Sequence, residues 1–176
     1  MKQSLVAQPV DYLFFPTSLG WVTVIDGQSA LQGILLGKSR ASLEKELLSV
    51  RPAARLRESP RLVAARGQIL EYLEGRRQAF QLELDFSFLS PFQQEVYGQL
   101  MLVPYGATIS YGGLAARTGR PRAARAVGRA VAANPFLLAV PCHRVVAADG
   151  SLHGFSGGEG ISTKRKLLEL EGALFG

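Results

Sequence analysis

One cysteine, two histidines and a run of arginines are the reactive features that stand out in this 176-residue chain. The cysteine lies in Ala139-Val140-Pro141-Cys142-His143-Arg144-Val145-Val146. A lone thiol in an apolar stretch is most often a buried structural residue. Three features weigh against that reading: His143 is adjacent, Arg144 follows, and Pro141 ends any regular strand just ahead of the sulfur. An imidazole and a guanidinium at this spacing are expected to lower the thiol pKa from ~8.5 toward neutrality, and the thiolate is the nucleophile. Consecutive strand side chains point to opposite faces, so His143 reaches Cys142 only at a turn or through a water. Acyl transfer would also need an oxyanion hole and a second His–acid pair, and His153 is the only other histidine. Attack on an alkyl carbon forms no tetrahedral oxyanion. It asks only for a thiolate and a proton donor to the leaving group, and it suits this set better.

Charge supplies the second signal. The net charge is +6, and the 53 residues from Val96 to Ala148 carry six Arg and no Asp or Glu. These are Arg117, Arg120, Arg122, Arg125, Arg129 and Arg144. Elsewhere basic and acidic side chains cancel, so the excess sits in one segment and points to an anionic partner. One cysteine forms no internal disulfide, and two His with one Cys cannot make a four-ligand zinc site. A disulfide scaffold and a zinc finger are excluded. No apolar run approaches the ~20 residues that span a bilayer. Met1-Lys2-Gln3-Ser4-Leu5 leads to Pro9 and Asp11 before any signal-peptide core appears, so a soluble, intracellular, cytoplasmic protein is expected.

The elements that must position these groups fall into two parts. Tyr12 to Phe15, Trp21 to Ile25 and Leu31 to Leu36 read as short strands separated by turn chemistry. Ser42 to Val50 and a stretch opened by Ser59-Pro60 and stopped by Gly75 read as helices. Phe80 to Phe86 alternates as a half-buried strand would. Ser90-Pro91-Phe92-Gln93 is a capping-box pattern with Pro at the first helical position, followed by Val96, Leu100 and Val103 on one face. Thr163 to Leu170 reads as a last short helix. A boundary near residue 88 is expected, with domains at 1–88 and 89–176.

Within the second part, Gly112 to Arg117, the turn Thr118-Gly119-Arg120-Pro121, and Arg122 to Val131 form a helix-turn-helix pattern. Arg122, Arg125 and Arg129 are expected on one face of the second helix. Its other residues are mostly small: Ala123, Ala124, Ala126, Gly128 and Ala130. They permit close approach to another surface.

Pro141-Cys142-His143-Arg144-Val145, preceded by Asn134-Pro135, resembles the active-site signature of the O6-alkylguanine-DNA alkyltransferases, also called methylated-DNA–protein-cysteine methyltransferases. The likeness runs from Ser90 to Gly172. It takes in Val103-Pro104-Tyr105-Gly106, Ile109-Ser110-Tyr111, Ala123 to Gly128, Gly154-Phe155-Ser156-Gly157-Gly158 and Lys164 to Gly172. The first 88 residues match only in layout.

The resemblance implies an α/β N-terminal domain, ribonuclease H-like, with a small antiparallel sheet and helices. It implies a mainly α C-terminal domain carrying the helix-turn-helix. The implied activity is direct, irreversible, single-turnover transfer of the alkyl group from O6-alkylguanine, with O4-alkylthymine as a further substrate. Cys142 accepts the group, His143 deprotonates Cys142 through a water, and Glu171 holds the His143 tautomer, the orienting role of an acid in a triad. Asn134 braces the cysteine loop, and Tyr111 protonates the departing guanine. Val145, Ser156, Phe155, Pro135 and Arg144 surround the flipped base. Arg125 fills the gap in the stack, with Arg122, Ala124, Ala126, Thr108 and Tyr111 against minor-groove DNA. No metal and no cofactor are expected. The partner is duplex DNA containing O6-alkylguanine, with no membrane, and the protein acts as a monomer with access to the bacterial nucleoid.

Three rivals are a non-catalytic lesion binder, a transcriptional regulator and a cysteine hydrolase. The repair reading requires the sulfur to be reachable from the arginine-bearing face.

Overall fold

Serine caps and prolines set where the chain turns helical. Ser39, Ser59 and Ser90 each accept a bond from a backbone N–H in the first turn of the helix that follows, and Pro60 and Pro91 occupy first-turn positions. An N-cap oxygen satisfies a donor the helix itself leaves unpaired, and Pro there sacrifices no bond. In the computed structural model, which describes residues 9–27 and 29–175, the chain divides into two compact units, Met1–Phe88 and Leu89–Gly176. The Met1 to Leu5 segment lies outside the described residues. Among the described residues no helix is long and apolar enough to cross a membrane.

The first unit is a four-stranded sheet with helices. Strands β1 (Asp11–Thr17), β2 (Gly20–Asp26) and β3 (Leu31–Gly37) pair antiparallel, and β4 (Arg55–Leu56) joins β1 in parallel, giving the order β3-β2-β1-β4. The sheet is therefore mixed, not antiparallel as expected. The two-residue β4 pairs only with Asp11 and Tyr12, so Pro16 sits where its missing N–H interrupts no ladder on that side. Helix α1 (Arg40–Val50) packs Leu43 and Leu47 against Tyr12, Phe14 and Ile25. Helix α2 (Pro60–Leu73) lies on the opposite face, where Ser59 and Arg61 bond Asp26 at 2.6 and 2.8 Å. Burial of both faces explains apolar runs in place of strict alternation.

Phe80 to Phe86 is not a strand. It makes one bridge, Leu84 to Leu31, through Leu31 N to the Glu83 carbonyl and Asp85 N to the Leu31 carbonyl. Its alternating burial follows from packing beside the sheet without continuing the ladder.

The second unit is mainly helical. Helix α3 (Pro91–Met101) starts with a complete Ser90–Gln93 capping box. Strand β5 (Ile109–Ser110) leads directly into α4 (Tyr111–Arg117), capped by Ser110. Helix α5 covers Ala124–Ala132, and a 3-10 turn at Cys142–Arg144 runs into β6 (Val145–Val146), parallel to β5. Helix α6 (Ile161–Leu170) closes the unit. The expected start of the second arginine-bearing helix at Arg122 is corrected to Ala124. A turn closed by Ala123 N on the Arg120 carbonyl occupies 120–123, so Arg122 precedes the helix and only Arg125 and Arg129 share its face.

Candidate active site

The cysteine arrives at the end of a loop locked by one amide. Asn134 Nδ2 donates to the Val140 carbonyl at 2.8 Å, and its Oδ1 accepts from Phe136 N at 2.9 Å. Asn134 N bonds Val131 at the end of α5, so the residue joins that helix to the cysteine loop. Inside the loop Leu138 is held at φ +73° while fully buried. A left-handed non-glycine residue costs roughly 1–2 kcal/mol, which the surrounding packing has to offset.

Pro141 then starts a 3-10 turn, closed by Arg144 N on the Pro141 carbonyl at 2.9 Å. On this turn His143 reaches away to Glu171, Nε2 to Oε1 at 2.8 Å. A carboxylate only accepts, so Nε2 carries the hydrogen and Nδ1 is the basic nitrogen. Burial lowers the His143 pKa, with Glu171 opposing, and the ring is neutral at pH 7. Arg144, expected against the base, turns its guanidinium onto the same carboxylate, Nε to Oε2 at 2.9 Å and Nη2 to Oε1 at 2.8 Å. Its Nη1 donates to the Val103 carbonyl at 2.6 Å. Gly106 N completes the set on Glu171 Oε2 at 3.1 Å.

The surroundings of the sulfur overturn the expectation of a lowered pKa. Cys142 is 3% exposed. Burial pushes its thiol up to about 11, against the fall expected from neighbouring cations. The reason is geometric: the Arg144 charge is spent on Glu171, and His143 is neutral. The groups that oppose the rise are a hydrogen bond from Asn134 and the charge of Lys164.

Lys164 was missed in the sequence. Its ammonium is fully buried and donates to the carbonyls of Val145 and His153, the latter at 2.7 Å. Burial lowers its pKa to about 8, with Cys142 opposing. Its neighbours Arg165 and Lys166 are exposed. Lys164 shares i, i+3, i+4 spacing with the buried Leu167 and Leu168, and that was the available signal. Tyr97 was missed as well. It is buried on α3, and its hydroxyl donates to the Ala130 carbonyl of α5 at 2.8 Å.

Tyr111 begins α4 with its ring beside Gly128 of α5 and its hydroxyl donating to the His153 carbonyl at 3.2 Å. Burial and the nearby Cys142 raise its pKa, so it stays a proton donor. Val145 is buried, Pro135 and Phe155 are half-buried, and Ser156 is exposed. Arg125 and Ala126 are exposed on α5, Arg122 is exposed ahead of it, and Ala124 and Thr108 are half-buried. Asn134 and Lys164 thus act on the sulfur directly, His143 on the same turn is bonded to Glu171, and Tyr111 shares the His153 carbonyl with Lys164. Among the described residues no three His, Cys, Asp or Glu gather as a metal-ligand set.

Residues 91–173 match the DNA-binding domain of 6-O-methylguanine DNA methyltransferase. The methylated-DNA–protein-cysteine methyltransferase of Mycobacterium tuberculosis is 49% identical over 104 residues, 59% of this chain and 61% of that relative's length. The chain therefore spans under two thirds of the curated relatives it first matches. A protein of Thermus thermophilus named a DNA base-flipping protein is 41% identical over 92% of this chain and 100% of its own length. The crystal structure of the M. tuberculosis O6-methylguanine methyltransferase aligns with a TM-score of 0.77 and 36% identity, covering 93% of each chain. A structure from the same organism in complex with DNA aligns at 0.77 with 38% identity and the same coverage. With the signature residues gathered around Cys142 and these matches across both units, this chain belongs to the O6-methylguanine-DNA methyltransferase family.

Proposed function

We propose that this protein repairs DNA by a single irreversible transfer of the alkyl group of O6-alkylguanine in duplex DNA to Cys142. The observation that supports this most is the His143–Glu171 bond on the turn that carries the chain's one cysteine. His143 Nδ1 takes the thiol proton through a bridging water, as Asn134 and the Lys164 ammonium favour the thiolate. Sulfur attacks the alkyl carbon, the S–C bond forms, and the C–O6 bond breaks with its electron pair going to the guanine. Tyr111 supplies the guanine with a proton, and the proton that left the sulfur restores the phenol. O4-alkylthymine would present the same alkyl–oxygen bond to the sulfur.

Helices α4 and α5 act as a helix-turn-helix, with α5 in the minor groove, and residues 89–176 form the DNA-binding and alkyl-acceptor domain. Arg125 takes the place of the extruded nucleotide, which offsets part of the few kcal/mol of unstacking. Arg122, Ala124, Ala126 and Thr108 lie along the duplex. Val145, Ser156, Phe155 and Pro135 enclose the base. Arg144 acts through Glu171. The first unit is read as ribonuclease H-like and supportive. The protein works as a monomer, without cofactor, in the cytoplasm on the nucleoid.

A second reading is base flipping without chemistry. It is favoured by the buried thiol and by the full-length match to the base-flipping relative. One experiment separates the two. The protein is incubated with a duplex containing O6-methylguanine, digested, and the Cys142 peptide weighed. One methyl per protein is expected, with Cys142→Ser giving none while still binding the duplex. Absence of adduct with binding retained establishes the second reading, and turnover beyond one equivalent rejects both.

A further inference from the structure

We infer that the groove between the start of α3 and the adjoining flank of α5 cradles the sugar–phosphate backbone of the undamaged DNA strand. The groove has a volume of about 300 Å³ and is lined by Phe92, Gln93, Ala126, Arg129 and Ala130. This rests on the reading of α5 as the DNA-contacting helix and extends it to a second surface.

Helix α5 has three sectors, set by its 100° steps. On one flank, a methyl added at Gly128 would meet the Tyr111 ring at 3.8 Å, so this flank faces the cysteine side. Arg125 stands on the outer ridge, and Arg129, set about 40° round the helix from it, lies on the Ala126 side; both are exposed. On the other flank Ala126 and Ala130 turn toward Phe92 and Gln93. A duplex that takes the arginine ridge into its minor groove has one strand on each flank. The strand giving up its base to Cys142 lies on the Tyr111 flank. Its partner strand then falls on the α3 flank, into the groove.

The lining suits a backbone. Its charged donor is the Arg129 guanidinium, which suits phosphate oxygens, while the Gln93 carboxamide is held by Ser90 in the helix cap. Its walls are alanine methyls and a phenyl ring, which fit a deoxyribose. No acid lines it, and Glu95, the one acid of α3, is paired with Arg120. The Arg120 guanidinium already lies over the Phe92 ring at 5.3 Å, so that face is closed to a stacking base.

The test compares duplex with single-stranded DNA carrying O6-methylguanine. Binding by wild type, Arg129→Ala and Arg129→Glu is followed by fluorescence anisotropy from about 50 to 200 mM salt. Arg129 is exposed, and thermal melting checks that each variant is folded. For Arg129→Ala the slope of log K against log salt on duplex is expected to become shallower by about one. Duplex affinity falls about threefold or more, single-strand affinity less than about twofold, and Arg129→Glu loses more on duplex alone. Equal losses on both substrates, or an unchanged duplex slope, overturn the proposal. A wild-type protein that binds no duplex overturns the parent reading instead, and the wild-type arm shows this before any variant is compared.

Discussion

His143 and Glu171 meet at 2.8 Å with neither side chain exposed to solvent. The same carboxylate takes two nitrogens of Arg144 and the Gly106 N–H. One acid therefore fixes the imidazole tautomer and neutralises a buried guanidinium. Each partner is held by charge-assisted bonds that a low-dielectric interior strengthens. Removing the acid leaves a buried cation unpaired.

Glu171→Ala is expected to destabilise the protein by about 3–5 kcal/mol, the scale for breaking a buried ion pair from one side. Glu171→Gln keeps the shape and some of the bonds, so it should lose less stability while still slowing methyl transfer. Urea unfolding and single-turnover kinetics check the two. Equal unfolding midpoints for wild type and Glu171→Ala would contradict the arrangement.

Gly106 has φ +77°, and a methyl added there would lie 2.9 Å from the Glu171 carbonyl oxygen. Gly106→Ala is thus strained twice, by its left-handed backbone and by contact with an atom that cannot give way. A loss of about 1–2 kcal/mol from the backbone alone is expected, with slower transfer as Glu171 shifts from His143. Wild-type kinetics in this variant would show that Glu171 tolerates displacement.

The sulfur and Lys164 titrate in opposite senses. A thiol pushed up to about 11 is protonated at pH 7. Alkylation of Cys142 by iodoacetamide should then rise about tenfold per pH unit from about 6 to 7.5, while Lys164 keeps its charge. Lys164→Met removes the opposing charge and slows the reaction at pH 7.5. A rate flat over that range of pH would mean the thiolate is already formed.

Stability follows the same two groups. Lys164 titrates near 8 in the folded state, below its ordinary 10.5. The unfolded chain binds more protons between these values, so this contribution grows with pH there and is lost as pH falls through about 8. Cys142 is raised from 9.0 to about 11, so its contribution is present below 9 and lost as pH rises through 11. Between about 8 and 9 only Lys164 acts, and the urea midpoint should climb. In Lys164→Met that climb should vanish.

Arg125→Ala should slow repair of duplex far more than reaction with free O6-benzylguanine, because only the duplex has a stack to fill. Rates on the two substrates, measured side by side, decide it. An equal effect on both would place Arg125 in the chemistry instead of in base extrusion.

Much of the layout was written in local sequence. The three strands, the Ser59-Pro60 and Ser90-Pro91 helix starts and the Ser90–Gln93 box depend on neighbours within a few residues, and periodicity and caps report such neighbours directly. Pairing Cys142 with His143 and Glu171 came from the likeness to the family, since 28 residues separate His143 from Glu171 and spacing alone cannot join them. Tertiary packing decided the rest. Arg144 was set against the base by the likeness to the family, yet the fold places Glu171 where the guanidinium meets it. Lys164 stands beside Arg165 and Lys166 in one basic run, and only docking of α6 drew that one ammonium inward. The sulfur's pKa was misjudged for the same reason. Desolvation is a property of everything packed around an atom, and the residues beside Cys142 in the chain do not contain it.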